Sequence, residues 1–533
     1  MPLKLPFLRD GTFSSGSKCN TANTTENAAK GVWHVVQAFL SAFPEYEKSA
    51  QHLHVFGESY GGRYAPSIVE HILEQNSKIQ NMQLDPSLTH SLQVKSLGIV
   101  NGAVDLLADM TTKVRYAVNN TYDHDLFLNF PGLENYLRKN PHTKDEIPED
   151  FSDLNDYLRN NTRINNLLPD FSGLLEKSIN RVCVPLVGQC TFAASKLDPR
   201  GYGNRPGVNN ICAEALVKCK QFESLYRVTK LSDYDIAESY YDPFPSRNWI
   251  EYLNQPRVLH ALGSPVNFTH SNKNVWIKFV ETGDMARGTI IPKIADFLKK
   301  GIRVGLMYGD RDFICQWFGG EETSLQIAKQ VSLELGSDFA SAGYAPIVVN
   351  ESYIGGDVRQ YGNLSFSRIF QAGHALPAYQ PETAFQVFER IMSGKSVSMG
   401  EPIDLSTFST RGQPSSDHHD ILPEKSEPVC FIRDFENTCD PTDKTRADFE
   451  DGVVINGVWY ASAEDWPLYK RPRLPLPPQV TLKHPMKGSF TATNVPDVLE
   501  VRDLRGDGVR SRVPGCFLMF AVVTACLLTL NWL

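Results

Sequence analysis

Hydrophobic and polar positions alternate through His52-Leu53-His54-Val55-Phe56, the two-residue period of a strand with one buried face. A glycine-rich turn, Gly57-Glu58-Ser59-Tyr60-Gly61-Gly62, follows, and residues 64–73 then carry a helical pattern. Two more apolar runs, 303–309 and 366–370, read as strands. The first ends at Asp310-Arg311-Asp312, and the second runs into Gln371-Ala372-Gly373-His374. Helical patterns also cover 26–43 and 383–392. Strands alternating with helices predict an α/β fold. Residues 1–105 and 246–397 read as two parts of one core, and 106–245 as a long insertion between them. Beyond 397 the composition changes. Residues 398–514 form an extension in which 406–428 is rich in Ser, Pro and Asp and reads as loose. Within it, Trp459, Tyr460 and Trp466 mark a small ordered patch, and 471–478 is a proline-rich linker.

A serine in Gly-x-Ser-x-Gly between a strand and a helix is the pattern of a nucleophile elbow, where the glycines two residues either side permit a sharp turn. Ser59 at such a turn needs a base, and the base needs an orienting carboxylate. The hydrolase fold that carries this elbow orders them Ser, Asp, His along the chain. Asp310 or Asp312 and then His374 follow that order, each in a loop at the end of an apolar strand. Open α/β sheets build their sites at those carboxyl ends.

Taken together, Glu58-Ser59-Tyr60-Gly61-Gly62, Gly309-Asp310-x-Asp312-Phe313-Ile314-Cys315 and Ala372-Gly373-His374 resemble the serine carboxypeptidases, chiefly the fungal, carboxypeptidase Y-like branch. Phe43-Pro44-Glu45-Tyr46, Val100-Asn101-Gly102, Tyr252-Leu253-Asn254 and Val258-x-x-Ala261-Leu262-Gly263 fit the same family, and the likeness runs over roughly residues 11–395. The resemblance implies an α/β-hydrolase fold with a mostly helical cap formed by 106–245, and a peptidase that removes C-terminal residues at acidic pH. It places the nucleophile on Ser59, the histidine on His374 and the aspartate on Asp312, which directly precedes the Phe-Ile-Cys segment; Asp310 is the alternative. It gives one oxyanion donor to the Tyr60 N–H, recognition of the substrate's terminal carboxylate to Glu58, and a free thiol beside the site to Cys315. Peptide or protein C-termini are the implied partners, with no metal or organic cofactor. An acyltransferase on the same triad and a non-catalytic hydrolase-like protein are the rival readings.

The family's Asn-Gly-Gly-Pro-Gly segment, which supplies the second oxyanion donor, is not found ahead of Ser59, and residues 1–10 match nothing in the family. The sequence as it stands therefore predicts a truncated N-terminus without a signal peptide, a sheet missing its first strands, and an activity impaired by the lost donor, worth about 10²–10³ in rate.

The chain has 533 residues and a net charge of −8, without a basic stripe, which argues against a nucleic-acid role. Cys183 and Cys190 lie seven apart, as do Cys212 and Cys219. Equal spacings of two helical turns favour nested bridges, Cys183–Cys219 and Cys190–Cys212, out of three possible connectivities; the resembled family has a similar nested pair. Seven is not a zinc-ligand spacing. Cys430–Cys439 is a further candidate bridge, and Cys19 has no evident partner. Glycosylation sequons at Asn23, Asn119, Asn160, Asn267, Asn350 and Asn363 join the cysteines in pointing to the secretory route. Residues 516–533 are uncharged and terminal, preceded by small residues and a short polar spacer. That pattern predicts a GPI-anchor signal, with a tail helix as the rival, and hence a cell-surface or secreted protein.

Overall fold

The computed structural model describes residues 21–122, 171–226, 231–239, 248–264, 266–269 and 271–423, with short stretches between 430 and 465 and isolated residues elsewhere. Cys19, Asn160, the proline-rich linker and the apolar tail lie outside the described residues.

Among the described residues, six strands form the central sheet, in the order β1-β2-β5-β8-β7-β6. β1 (Leu53–Glu58), β2 (Val94–Val100), β5 (Arg303–Gly309) and β8 (Leu364–Ile369) run parallel; β7 (Tyr353–Tyr361) pairs antiparallel with both β8 and β6 (Ala345–Asn350). β5 is buried at every residue but the first, as a central parallel strand covered on both faces must be. β1 alternates between buried and half-buried, and it stands at one edge of the sheet among the described residues.

Helix α2 (Gly61–Gln80) covers the sheet at β1 and β2, and α1 (Thr25–Ala42) packs against α2. Thr24 caps α1 by accepting from Asn27 N. α2 is longer than the pattern over 64–73 suggested, because Gln75 and Ile79 continue its buried face past the last apolar run. α3 (Leu106–Val118), α4 (Phe171–Leu197) and α5 (Pro206–Tyr226) make up the described helices of the insertion. Disulfides join Cys183 to Cys219 and Cys190 to Cys212 across the antiparallel α4–α5 pair, with Cα separations of 5.2 and 4.7 Å. A short hairpin closes the insertion, β3 (Leu231–Ser232) with β4 (Asp235–Ser239). The core half then continues through α6 (Lys273–Thr282), α7 (Ile290–Lys299), α8 (Trp317–Val331), the short α9 (Leu376–Tyr379) and α10 (Pro381–Ser393).

The expectation that 406–428 is loose is corrected for its described part. Arg368, fully buried on β8, donates to the Ser416 and His418 carbonyls and to Thr121 Oγ1. Backbone bonds join Tyr344 N to Gln413 O and Thr410 N to Gln360 O. A guanidinium buried on a strand needs acceptors, and this polar segment supplies them. Separately, β9 (Cys430–Phe431), β10 (Val453–Ile455) and β11 (Val458–Tyr460) form a small sheet in a second compact unit, which contains the Cys430–Cys439 disulfide.

Candidate active site

β1 ends at Glu58, and Ser59 turns the chain with φ at 60°. Its N–H donates to Val100 O at 3.0 Å, and its carbonyl accepts from Gly62 N and Ala103 N at 2.9 Å each. A left-handed non-glycine residue stores about 1–3 kcal/mol, so the flanking packing must hold it. Two glycines let that packing form. A Cβ on Gly57 would lie 2.6 Å from Gly61 O, and one on Gly62 would lie 2.9 Å from Gly102 Cα. At Gly61 a Cβ would meet nothing within 4 Å, so the close approaches fall at 57 and 62 rather than at both positions two away from the serine.

The far side of the elbow is tied down by Asp284, in the loop between α6 and α7. Its carboxylate accepts from Tyr60 OH at 2.7 Å, Arg63 Nε at 3.2 Å, Thr25 N at 2.8 Å and Thr25 Oγ1 at 2.5 Å. Arg63 also donates to the Asp284, Val104 and Met285 carbonyls. Burial alone would raise the Asp284 pKa, but Arg63 and these donors outweigh it and hold the carboxyl below its usual range. Tyr60 precedes the first turn of α2, which places its N–H at the positive end of that helix.

Asp312 and His374 follow β5 and β8. His374 Nδ1 lies 2.7 Å from Asp312 Oδ2, and both side chains are buried. The other oxygen, Oδ1, accepts from the Ile314 and Cys315 amides. Asp310 points elsewhere: its Oδ1 accepts from Tyr122 OH and its Oδ2 lies 4.0 Å from Arg368. Burial opposes a charged imidazole at His374, yet the Asp312 charge and hydrogen bond, helped by Glu58, move its pKa up overall. Among the described contacts, no hydrogen bond joins Ser59 Oγ to His374; such pairs are often long without substrate.

Glu58 sits close enough to His374 and Asp312 for their charges to act on it. Burial raises its carboxyl pKa, with His374 opposing and Asp312 adding to the rise. The Cys315 thiol is buried and unpaired, within 4.8 Å of the Asp312 and His374 ligand atoms. Burial, then Asp312 and Asp109, push that thiol well up, so it stays protonated.

Asn101 is the residue whose part here sequence reasoning did not assign. It follows β2 with φ at 42°, donates Nδ2–H to Asp312 Oδ2 at 2.7 Å, and accepts from Gly309 N at 3.3 Å. The available signal was an asparagine directly after an apolar strand, since asparagine tolerates the left-handed region better than most residues. Ser59, Asn101 and Gln371, three of the four described non-glycine residues with positive φ, each follow a parallel strand of the sheet at its carboxyl end.

Among the sequons, Asn267 and Asn350 are exposed together with their Thr269 and Ser352. Asn119 is exposed but Thr121 is buried; Asn23 and Asn363 are half-buried, with Thr25 and Ser365 buried.

A serine elbow and a buried Asp–His pair at the carboxyl ends of a mostly parallel sheet make this an α/β-hydrolase fold. The family model for serine carboxypeptidases matches residues 11–394, and the chain belongs to that family. Similar proteins include carboxypeptidase S1 homolog A of Trichophyton rubrum, 38% identical over 81% of this chain and 61% of the relative. A carboxypeptidase Y homolog of Arthroderma benhamiae is 31% identical over 86% of this chain and 67% of that protein. The chain thus spans about three fifths of the length of the first of these relatives. Among solved structures, the prohormone-processing carboxypeptidase Kex1Δp of Saccharomyces cerevisiae matches with a TM-score of 0.46 and 17% identity, over 71% of this chain and 69% of that one.

Proposed function

We propose that this protein is a serine-type carboxypeptidase that releases C-terminal residues from peptides through an acyl-enzyme. The observation that carries the reading is the buried His374–Asp312 bond of 2.7 Å at the same strand ends as the strained Ser59. Ser59 Oγ attacks the last peptide carbonyl as His374 Nε2 takes its proton, and Asp312 fixes the tautomer that leaves Nε2 free. The Tyr60 N–H stabilises the oxyanion. The amine leaves with the proton from His374, and water then hydrolyses the ester by the same route in reverse. Residues 106–245 act as the cap over the pocket, between core parts 1–105 and 246–397. Hydrolysis of an N-blocked dipeptide tests the reading: the expected result is release of the free C-terminal amino acid, absent in Ser59→Ala. Product with the acyl group on an added acceptor instead, or no turnover by the folded protein, would overturn it.

Glu58 gives the reaction its pH dependence. Its raised pKa keeps it protonated, and able to donate to a substrate carboxylate, at pH values where an ordinary glutamate is ionised. As pH rises through that value, two carboxylates face each other and KM rises. His374 works the other way, because a base with a raised pKa is lost as pH falls through it. Low pH therefore favours binding and disfavours the base. In Glu58→Gln, KM should lose its rise with pH. A KM profile identical to wild type would contradict this role.

The disulfides fit an oxidising compartment. No helix among the described residues is long and apolar enough to cross a membrane. The apolar segment 516–533 acts as a GPI-attachment signal in this reading. Release of the protein from membranes by phosphatidylinositol-specific phospholipase is the expected result, and retention there would count against it.

A further inference from the structure

Two loops carry Asp312 and His374, 62 residues apart in sequence. The turn of the β3–β4 hairpin touches both. Asp233 O accepts from Phe313 N at 3.2 Å and Ile314 N at 2.9 Å, and Tyr234 O accepts from His374 N at 2.7 Å. Ile236 N donates to Arg311 O at 2.9 Å. The Tyr234 ring packs 5.0 Å from the imidazole. A Cβ on Gly373 would come within 2.5 Å of Tyr234 O, so the residue before the histidine must be this small for the hairpin to seat. From beneath, Tyr226 stacks on Phe313 at 3.7 Å and donates to Ser232 O.

One side chain spans the same gap. Asp235 is fully buried, and its Oδ2 lies 3.0 Å from Arg311 Nη2, next to the acid. Its Oδ1 accepts from Ala237 N at 2.9 Å within the hairpin, and its partner Arg311 faces Tyr379, five residues beyond the base. The Arg311 guanidinium lies over the Tyr379 ring at 5.3 Å, and Arg311 N donates to Ala372 O. A buried carboxylate paired with a buried arginine is costly to separate, because either partner left alone would be an uncompensated buried charge.

We propose that the β3–β4 hairpin clamps the Asp312 and His374 loops to each other, with Asp235 as the positioning residue that latches it to Arg311, whose guanidinium lies over the Tyr379 ring. The proposal rests on the reading of Ser59, Asp312 and His374 as one catalytic unit. Asp235 touches none of the three, so it acts only by fixing the distance between acid and base. A small displacement is enough, since about 1 Å of misplacement can cost up to ~100-fold in rate.

The test compares wild type with Asp235→Asn at pH 8. That lies above the value of about 7 to which burial pushes the Asp235 carboxyl, with Arg311 opposing, so wild type carries the charge that the variant lacks. Two signals are read besides the thermal midpoint: the rate at which a fluorophosphonate labels Ser59, and the far-downfield proton resonance of His374 Nδ1–H. Labelling about 10–100-fold slower, with the resonance weakened or shifted, is expected. Unchanged labelling and an unchanged resonance would overturn the clamp, even if the thermal midpoint falls. Tyr379→Leu removes the ring that faces the Arg311 guanidinium and decides the matter if Asp235→Asn does not fold; it should show the same changes to a smaller degree, and a silent Tyr379→Leu would then overturn the proposal. If wild type itself is not labelled, the functional reading fails, while the resonance still tests the clamp.

Discussion

Asp312→Asn should lower kcat about 10⁴-fold with little change in KM. The geometry around the carboxylate explains why an isosteric amide is so damaging. Oδ1 accepts from two backbone amides, Ile314 and Cys315, and Oδ2 accepts from Asn101 Nδ2 and lies against His374 Nδ1. All four neighbours are placed as donors. An amide has a single acceptor oxygen, and the two fixed backbone N–H groups claim it. Its NH₂ then faces His374 Nδ1 and Asn101. The imidazole can meet that NH₂ only by accepting at Nδ1, which places its proton on Nε2, where Ser59 needs a base. Asn101 cannot easily rescue the site by flipping, because its Oδ1 is engaged by Gly309 N. Steady-state kinetics on a blocked dipeptide, alongside fluorophosphonate labelling, reads the effect. A loss below about 10-fold would mean that His374 takes its orientation from elsewhere.

Asp284→Ala should destabilise the protein by about 3–5 kcal/mol, the usual cost of removing one partner from a buried ion pair. Arg63 has no exposed surface, and without Asp284 it keeps only backbone carbonyls. Tyr60 OH and the Thr25 N–H and hydroxyl lose their acceptor in the same stroke. The pH dependence has a definite sign. The Asp284 pKa is depressed in the folded state, so its stabilisation is complete above the ordinary aspartate value of about 3.9 and fades as pH falls through the lower folded value. The gap between wild type and Asp284→Ala should therefore be constant near neutrality and narrow only in strong acid. Urea unfolding midpoints across pH measure this. Because Tyr60 and Arg63 flank the elbow, activity should fall with stability. An unchanged midpoint at pH 7 would contradict the account of Asp284 as the group that neutralises Arg63.

The parts of the site legible in the sequence were those with a local signature. The elbow declared itself through a two-residue period, a glycine turn and a helix start, and the cysteines through equal spacings on facing helices. What stayed hidden depends on partners far along the chain. Asp284 reaches Thr25 across 259 residues and Arg63 across 221, and nothing near Asp284 in sequence marks it as the anchor of an elbow. Asn101 appeared as one residue of a short motif, and only the fold turns its side chain onto Asp312. The hairpin at 231–239 is too short to register as strand by periodicity, and its hydrogen bonds to the two loops run through backbone groups that side-chain types do not encode. Residues 406–423 read as loose by composition, since the buried Arg368 that recruits their carbonyls lies in a different segment.

The central claim is that Ser59, His374 and Asp312 act as one unit. Peptide mass spectrometry after fluorophosphonate treatment of the folded, full chain tests it most directly. The account predicts a single adduct, on Ser59, formed rapidly in wild type and nearly abolished in His374→Ala. A folded protein with no adduct, or one whose Ser59 reacts equally fast without His374, would contradict it.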